Sequence, residues 1–545
     1  MNERQKTFSF FLIALLVLIP ALYLSRPETE TFTAEQMVEK ELFPELKDVM
    51  NVASFSISQL EPSGKLTRLE VKKMNGQWIL SSHSGYPANA QNRMVEVVSA
   101  LSGLEVLRVV GEDAATRARC GVLDPEDAQN AEPKEAGSRI VIRNQKDQLL
   151  FDLILGQETE EGSGKFYVRR AGQNPVYVVE MDPSRLSTKF LDWIETDLMK
   201  VQPSDIASLF ALDCSLELKT QDGTPAFNHR GQFTVTQKYL EDPDWELTSN
   251  LRVFGTGMRE MGMPAGQTLN LRMLRRISQA LSDMRLCSVQ RKPSEIANAF
   301  RHPENLELTE DQNRLLQERG FCTLPMDLGN GPINALFSTD GQVHVYSNEG
   351  VVYRLYFGGI AGTEALEDFM AATGTDRKFY RYLVLTADLY PQGIPQPQLQ
   401  EMPPKPEDSD AAAKAQYQAL LEMNAQEQRI YEEKLADARK KVEQMNALFA
   451  DWFFIIPEDV YQQIHMTYAN VFISRGEAER MKQDETKEPE HAQEHEPDHE
   501  HSAEECHDGN CPIHSHENAE QAPAPAPAST PTPVESGPAP EPQTP

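Results

Sequence analysis

The chain has 545 residues, 40% of them hydrophobic, and a formal net charge of −31. Residues 485–545 contribute −13 of that charge and leave −18 on the rest, so no part is basic enough for nucleic acid, whose binding rests on clustered Lys and Arg. Six cysteines, at 120, 214, 287, 322, 506 and 511, are too few and too scattered for a disulfide framework. Cys120, Cys214, Cys287 and Cys322 read most simply as buried thiols packing like small apolar residues, although four cysteines could pair in three ways.

Phe8 to Leu24 is a nearly unbroken apolar run, preceded by Arg4 and Lys6 and followed by Arg26-Pro27. At about 1.5 Å per residue it reaches roughly 25 Å, the short end of a bilayer span. Tyr23 and Ser25 make a poor small-x-small cleavage site, which favours an uncleaved transmembrane anchor over a signal peptide. Positive charge before the run and Glu28 and Glu30 after it place the N-terminus in the cytoplasm and the body outside. The expectation is a single-pass protein of the inner (cytoplasmic) membrane, with residues 1–30 as stub and anchor and a periplasmic body.

A first module is expected over 50–205. Leu66–Val71 and Gln77–Leu80 alternate with period two and flank Asn75-Gly76, a dipeptide suited to a tight hairpin. A helix follows from about Asn89, then strands at Arg139–Arg143, Leu149–Leu155, Phe166–Arg169 and Val176–Val179. Asp182-Pro183 supplies an N-cap and a first-turn proline. Antiparallel strands with helices on one side make the unit α+β.

The same pattern returns over 210–475. Trp245-Glu246-Leu247 answers Trp78-Ile79-Leu80, and Met263-Pro264-Ala265 answers Tyr86-Pro87-Ala88. Leu274, Ile277, Leu281 and Met284 repeat the helical spacing of Met94, Val97, Leu101 and Leu104. Strands are expected at Ser215–Lys219 and Gln232–Gln237, then a meander of Ile333–Phe337, Val343–Tyr346 and Val351–Phe357. Phe379–Leu385 matches the strand around Tyr167.

Between that strand and its partner lies an insertion over 405–451. An acidic proline-rich linker, Met402–Asp408, leads into a stretch from Ser409 to about Ala450 without Gly or Pro, rich in helix formers. Tyr431, Leu435, Ala438, Val442, Met445, Phe449 and Trp452 form an a/d seam. The seam suits equally a helix packed on its own body and a coiled coil through which the 409–452 helix self-associates. Trp452–Asp459 then echoes Val176–Pro183, residue for residue from Val176. The segment 476–545 loses its hydrophobics, turns acidic and His-rich, then Pro/Ala-rich, and reads as a disordered tail.

The tail carries the one ligand-like cluster, Cys506, Cys511, His514 and His516, a plausible tetrahedral set for zinc or another transition metal. Seven of twelve histidines lie between 491 and 516. His495-Glu496-Pro497-Asp498-His499 matches H-E-x-x-H in letters, but Pro497 removes the helix that would bring both imidazoles to one face. Gly162-Ser163-Gly164-Lys165 fails the phosphate-loop pattern at Thr159 and Phe166. No nucleophile–base arrangement stands out, so no enzyme is expected and no catalytic residues are assigned.

Trp78-Ile79-Leu80, Tyr86-Pro87-Ala88, Gly121-Val122-Leu123-Asp124-Pro125, Leu155-Gly156 and Tyr167-Val168-Arg169 follow one another in an order that resembles the domain of unknown function 4340 family. The resemblance implies a membrane-anchored protein with extracytoplasmic tandem repeats, associated with ABC-type transporters of the gliding-motility or auxiliary-export kind. It implies no catalytic residues. Cys120-Gly121-Val122 departs from the aromatic-Gly-Leu of the family, and the second copy keeps only Gly320-Phe321 and Leu324-Pro325. The expected function is therefore a non-enzymatic scaffold or partner-binding subunit, with metal buffering by the tail as the alternative.

Overall fold

The computed structural model describes residues 33–127, 132–162, 164–217, 226–238, 244–254, 257–327, 331–362, 379–406 and 411–487. Phe8–Leu24 and the four tail ligands lie outside them. Among the described residues no helix is long and apolar enough to cross a membrane.

The fold is α+β and built on two antiparallel nine-stranded sheets. The first half supplies β1 (Val52–Leu60), β2 (Leu66–Met74), β3 (Gln77–Leu80), β4 (Tyr86–Pro87), helix α1 (Gln91–Leu101), β5 (Arg108–Gly111), α2 (Ala114–Arg119), β6 (Ser138–Asn144), β7 (Leu149–Glu158), β8 (Lys165–Arg170) and β9 (Val176–Glu180). Asn75 and Gly76 both take positive φ, 51° and 83°, closing the β2–β3 hairpin. The Asp182 side chain caps a 3₁₀ turn at Pro183–Arg185 by accepting from the Ser184 amide.

The second half supplies β10 (Ile206–Glu217), β11 (Ala226–Gln237), β12 (Trp245–Phe254), β13 (Gly257–Glu260), β14 (Gln267–Leu269), α3 (Leu271–Ser282), β15 (Ser288–Arg291), α4 (Ser294–Ala299), α5 (Glu310–Gln317), β16 (Phe321–Asp327), β17 (Pro332–Ser338), β18 (Gln342–Ser347), β19 (Val351–Ile360), β20 (Tyr380–Leu389), α6 (Ala411–Phe449), β21 (Trp452–Pro457), α7 (Glu458–Ile464), α8 (Tyr468–Val471), β22 (Phe472–Ser474) and α9 (Arg475–Lys487).

The strand orders are β4-β3-β2-β1-β6-β7-β8-β9-β5 and β13-β12-β11-β10-β18-β19-β20-β21-β15. These are the same path traced twice. Registers carry the equivalence to single residues: Phe55 pairs with Val71 and Val71 with Leu80, as Leu209 pairs with Val235 and Val235 with Leu247. Trp78 and Trp245 then occupy the same position. The eight matching apolar residues on and after α1 and α3, from Met94 to Leu104 and from Leu274 to Met284, are all buried in one core shared by both halves.

Three expectations need correction. The strand at Ile333–Phe337 belongs to β17, which pairs with β16 in a separate hairpin and not with β18. Its apolar residues, Leu336 and Phe337, pack with Phe321 and Cys322 in smaller clusters outside the main core. The echo of Val176–Pro183 is slipped by one: Leu155, Val168 and Tyr177 line up across the first sheet as Phe357, Leu383 and Phe454 do across the second, so Val176 matches Phe453 and not Trp452. Residues 476–487, read as disordered, continue α9, whose start is capped by the Ser474 hydroxyl accepting from the Glu477 amide at 3.2 Å.

Of the two partners open to the α6 seam, the chain's own sheet takes it. Ala438 and Phe449 are buried, and Tyr431, Leu435, Val442 and Met445 pack against the shared core. Upstream, Leu421, Met423 and Ile430 are exposed, while residues 394–406 run alongside, Gln400 and Asn424 exchanging two hydrogen bonds of 2.8 Å.

Candidate functional site

The densest set of titratable groups lies where α7 and α8 close over the second sheet. A bulge in β10 at Asp213/Cys214 turns the Asp213 side chain into the protein, where it is 2% exposed. Its carboxylate accepts from Arg230 Nε at 2.6 Å and from the Tyr468 amide at 2.9 Å. The Tyr468 hydroxyl donates to Asn250 Oδ1 at 2.7 Å, and Arg252 lies over the Tyr468 ring at 3.9 Å. Gly231 permits this approach, because a Cβ there would sit 2.6 Å from the Leu251 carbonyl and 2.8 Å from the Tyr468 hydroxyl.

A second half of the network centres on Arg381. It donates to Asp340 at 2.6 Å, to Glu458 at 3.1 Å and to the Gly358 carbonyl at 3.1 Å, with its guanidinium 4.1 Å from the Tyr461 ring centre. His465 stacks on the same ring at 4.6 Å.

This arrangement can hold a segment in place, and little in it favours chemistry. Burial keeps His465 neutral by pushing its pKa down, and pushes the Cys214 thiol and the Tyr468 phenol each up to about 12. Nucleophiles need the opposite shift. The carboxylates of Asp213, Asp340 and Glu458 are already engaged by arginines. The network clasps residues 458–474 onto the sheet.

The first module has its own polar centre. Arg139 engages Asp152 through Nε and Nη2 at 3.0 and 2.9 Å, and donates through Nη1 to Asp124 and Glu126, both at 3.1 Å. Asp124 belongs to the Gly121–Pro125 string, whose geometry is set by a close crossing. Gly121 holds φ at +67°, and a Cβ on Gly156 would run into the Cys120 carbonyl. The second module repeats the crossing with Gly320 at φ +85° and Gly358 against the Arg319 carbonyl. These glycines are needed for packing.

Lys292 is the strongest single anomaly. It is 3% exposed, donates to the carbonyls of Phe449 and Trp452 at 2.8 and 2.6 Å, and lies 4.5 Å from the Phe300 ring centre. Burial pulls its pKa down to about 7, against a smaller opposing effect of Asp451. A neutral amine has two N–H groups, enough for both carbonyls.

Beside the core that both halves share, two contacts tie the end of the first sheet to the second. Arg291 donates from β15 to the Ser84 carbonyl at 2.9 Å, and Tyr86 of β4 packs edge-on against Trp452 at 5.0 Å. Away from this junction, open grooves run along β5 (about 470 Å³, with Glu35, Leu107 and Val109), beside β12 (about 510 Å³, with Trp245, Leu247 and Met263) and between α3 and α7 (about 540 Å³, with Arg276, Asp283 and Asp459).

The sequence-predicted ligands Cys506, Cys511, His514 and His516 lie outside the described residues. Among those described, no group of three or more His, Cys, Asp or Glu side chains is placed to hold a metal. Cys120, Cys214, Cys287 and Cys322 are buried and form no disulfide. Sequence reasoning missed Lys292, Arg381 and the Asp213–Tyr468 contact, whose partners stand 157 to 255 positions apart or, for Arg381, 41 and 77. The only local hint was Lys292 beside Pro293 at a helix start.

Residues 78–297 match the family described as Domain of unknown function (DUF4340). The match begins on β3 and ends in α4, so it spans the junction between the modules. No curated protein and no solved structure matches the chain.

Proposed function

We propose, for a chain carrying this family's domain over 78–297, that it is a non-enzymatic, single-pass inner-membrane protein. In this reading its periplasmic modules scaffold or bind a partner, as an accessory subunit of an ABC-type transporter. The observation that carries the proposal is the state of the polar clusters. The ionisable groups of the Asp213–Arg381 network are committed to one another, whereas the outer surfaces keep exposed apolar side chains such as Phe254, Met258 and Leu421. Surfaces of that kind serve contact with partners. The apolar run Phe8–Leu24 supports the anchor, and the family resemblance supports the transporter.

Co-purification of the tagged full-length protein in mild detergent, with mass spectrometry of the eluate, tests this. Transporter subunits recovered in stoichiometric amount are expected; the protein recovered alone would overturn the accessory role. A second reading rests on the cluster Cys506, Cys511, His514 and His516. Here the tail buffers zinc or another transition metal. Titration with zinc should then show about one tight equivalent, lost in a C506S/C511S variant, while equal uptake by both proteins would remove the idea.

A further inference from the structure

We propose that β5 of the first module and β13 of the second join one copy of this chain to the next, head to tail. The pattern for the contact is already present inside the chain. Each module has two unlike ends. One lies beyond the strand that carries the repeated tryptophan, at β4 in the first module and β13 in the second. The other is the strand paired to the last of the sheet, β5 in the first and β15 in the second.

Within the chain, the β4 end of the first module meets the β15 end of the second. Arg291 of β15 reaches the Ser84 carbonyl, and Trp452 of the adjoining β21 receives Tyr86. One end of each kind is therefore consumed. The two that remain, β5 and β13, are a complementary pair and not two copies of one surface.

Of the two remaining ends, β13 is uncovered, and β5 keeps an open groove between its strand and the 3₁₀ turn at Ala34–Met37. β13 is the outermost strand of its sheet and exposed along its length. Phe254, Met258, Met261 and Met263 around it are 50, 43, 42 and 41% exposed. Beside them opens the groove of about 510 Å³ floored by Trp245, in the part of the module where its counterpart, β4, packs Tyr86 against Trp452. At the other end Leu107, 43% exposed, lies beside the β5 groove, which Glu35 and Glu112 flank. Arg108 lines that groove as well, and β13 likewise carries both signs in Arg259 and Glu260. A bare strand edge with exposed apolar side chains, as at β13, is a surface proteins normally cover. Because the two surfaces differ, the contact is heterologous and can recur from copy to copy. Net charge of −31 on each copy opposes approach at long range, so association strengthens as salt screens it. The proposal does not rest on the membrane anchor or on a transporter.

Introduced surface cysteines test it in the full-length protein, whose four body cysteines are buried. In a C506S/C511S background, Met258→Cys and Leu107→Cys are made in separate preparations, mixed and mildly oxidised. A disulfide joining position 258 of one copy to position 107 of another, absent from either preparation alone, is expected. No cross-link in the mixture, or a cross-link in the Met258→Cys preparation alone, would overturn the proposal. Light scattering should show the parent as an oligomer, and a Met258→Glu/Met263→Glu variant should melt like the parent yet run as a monomer. An unchanged oligomer would also sink the idea.

Discussion

The Lys292 amino group lies 2.8 Å from the Phe449 carbonyl, so the end of β15 is pinned to the last turn of α6. The last four carbonyls of a helix lack partners of their own, and here a buried side chain supplies one. Burial holds the Lys292 pKa near 7, far below the roughly 10.4 of an unfolded chain. Between those values the unfolded state binds a proton that the folded state does not. Stability should therefore rise with pH from about 7 toward about 10, with a slope of at most about 1.4 kcal/mol per pH unit from this one group. Lys292→Met should flatten the slope, and at pH 9.5, where little of the deprotonation cost remains, should lower stability, since two carbonyls lose their donor at about 1–3 kcal/mol. Urea midpoints of both proteins at pH 6.5, 8 and 9.5 check this; parallel slopes would count against it.

The glycine crossing predicts a graded response. Gly156→Ala drives a methyl group into the Cys120 carbonyl, whereas at Gly359 the nearest atom, the Arg319 carbonyl oxygen, is 3.8 Å away. Overpacking of this kind costs about 1–3 kcal/mol. Gly156→Ala should lose several degrees of melting temperature and Gly359→Ala much less, as read by calorimetry.

The seam of α6 makes a third prediction. Val442 packs against the core, and Leu421 is 45% exposed. Val442→Asp should destabilise the protein by about 2 kcal/mol or more, because it forces a charge against apolar surface. Leu421→Asp should stay within about 0.5 kcal/mol. The reverse order in thermal melts would mean that the seam serves another copy.

The repeated helices give a fourth. Leu101 and Leu281 are 0 and 1% exposed and hold equivalent places on α1 and α3. Truncation of either to alanine should cost about 2–5 kcal/mol, and both variants should unfold at lower urea than the parent. A large cost for one and none for the other would break the equivalence.

Trp78 and Trp245 could be matched from the sequence because strand and helix periods survive divergence: only the spacing of apolar residues must persist. The match at Trp452 slipped by one residue because Trp452–Ile456 is apolar throughout, so alternation gives no phase. Pairing with β20 sets that phase, and it is invisible locally. Ile333–Phe337 showed its strand character, but the choice between β16 and β18 as neighbour depends on which apolar surface it covers. The Asp213–Tyr468 and Tyr86–Trp452 contacts left no string at all, since their partners are brought together only by the completed sheets.

The excursion through α6 bears on the order of assembly. In the first module β8 and β9 are separated by residues 171–175, whereas β20 and β21, which pair in the same way, are separated by 390–451. For an unstructured chain that difference raises the entropy of closing the pair by about 2 kcal/mol. β21 can therefore pair with β20 at low cost only once α6 has formed and folded the excursion back. Trp452 and the β15 register travel with it, so the surface that receives Tyr86 does not exist until then.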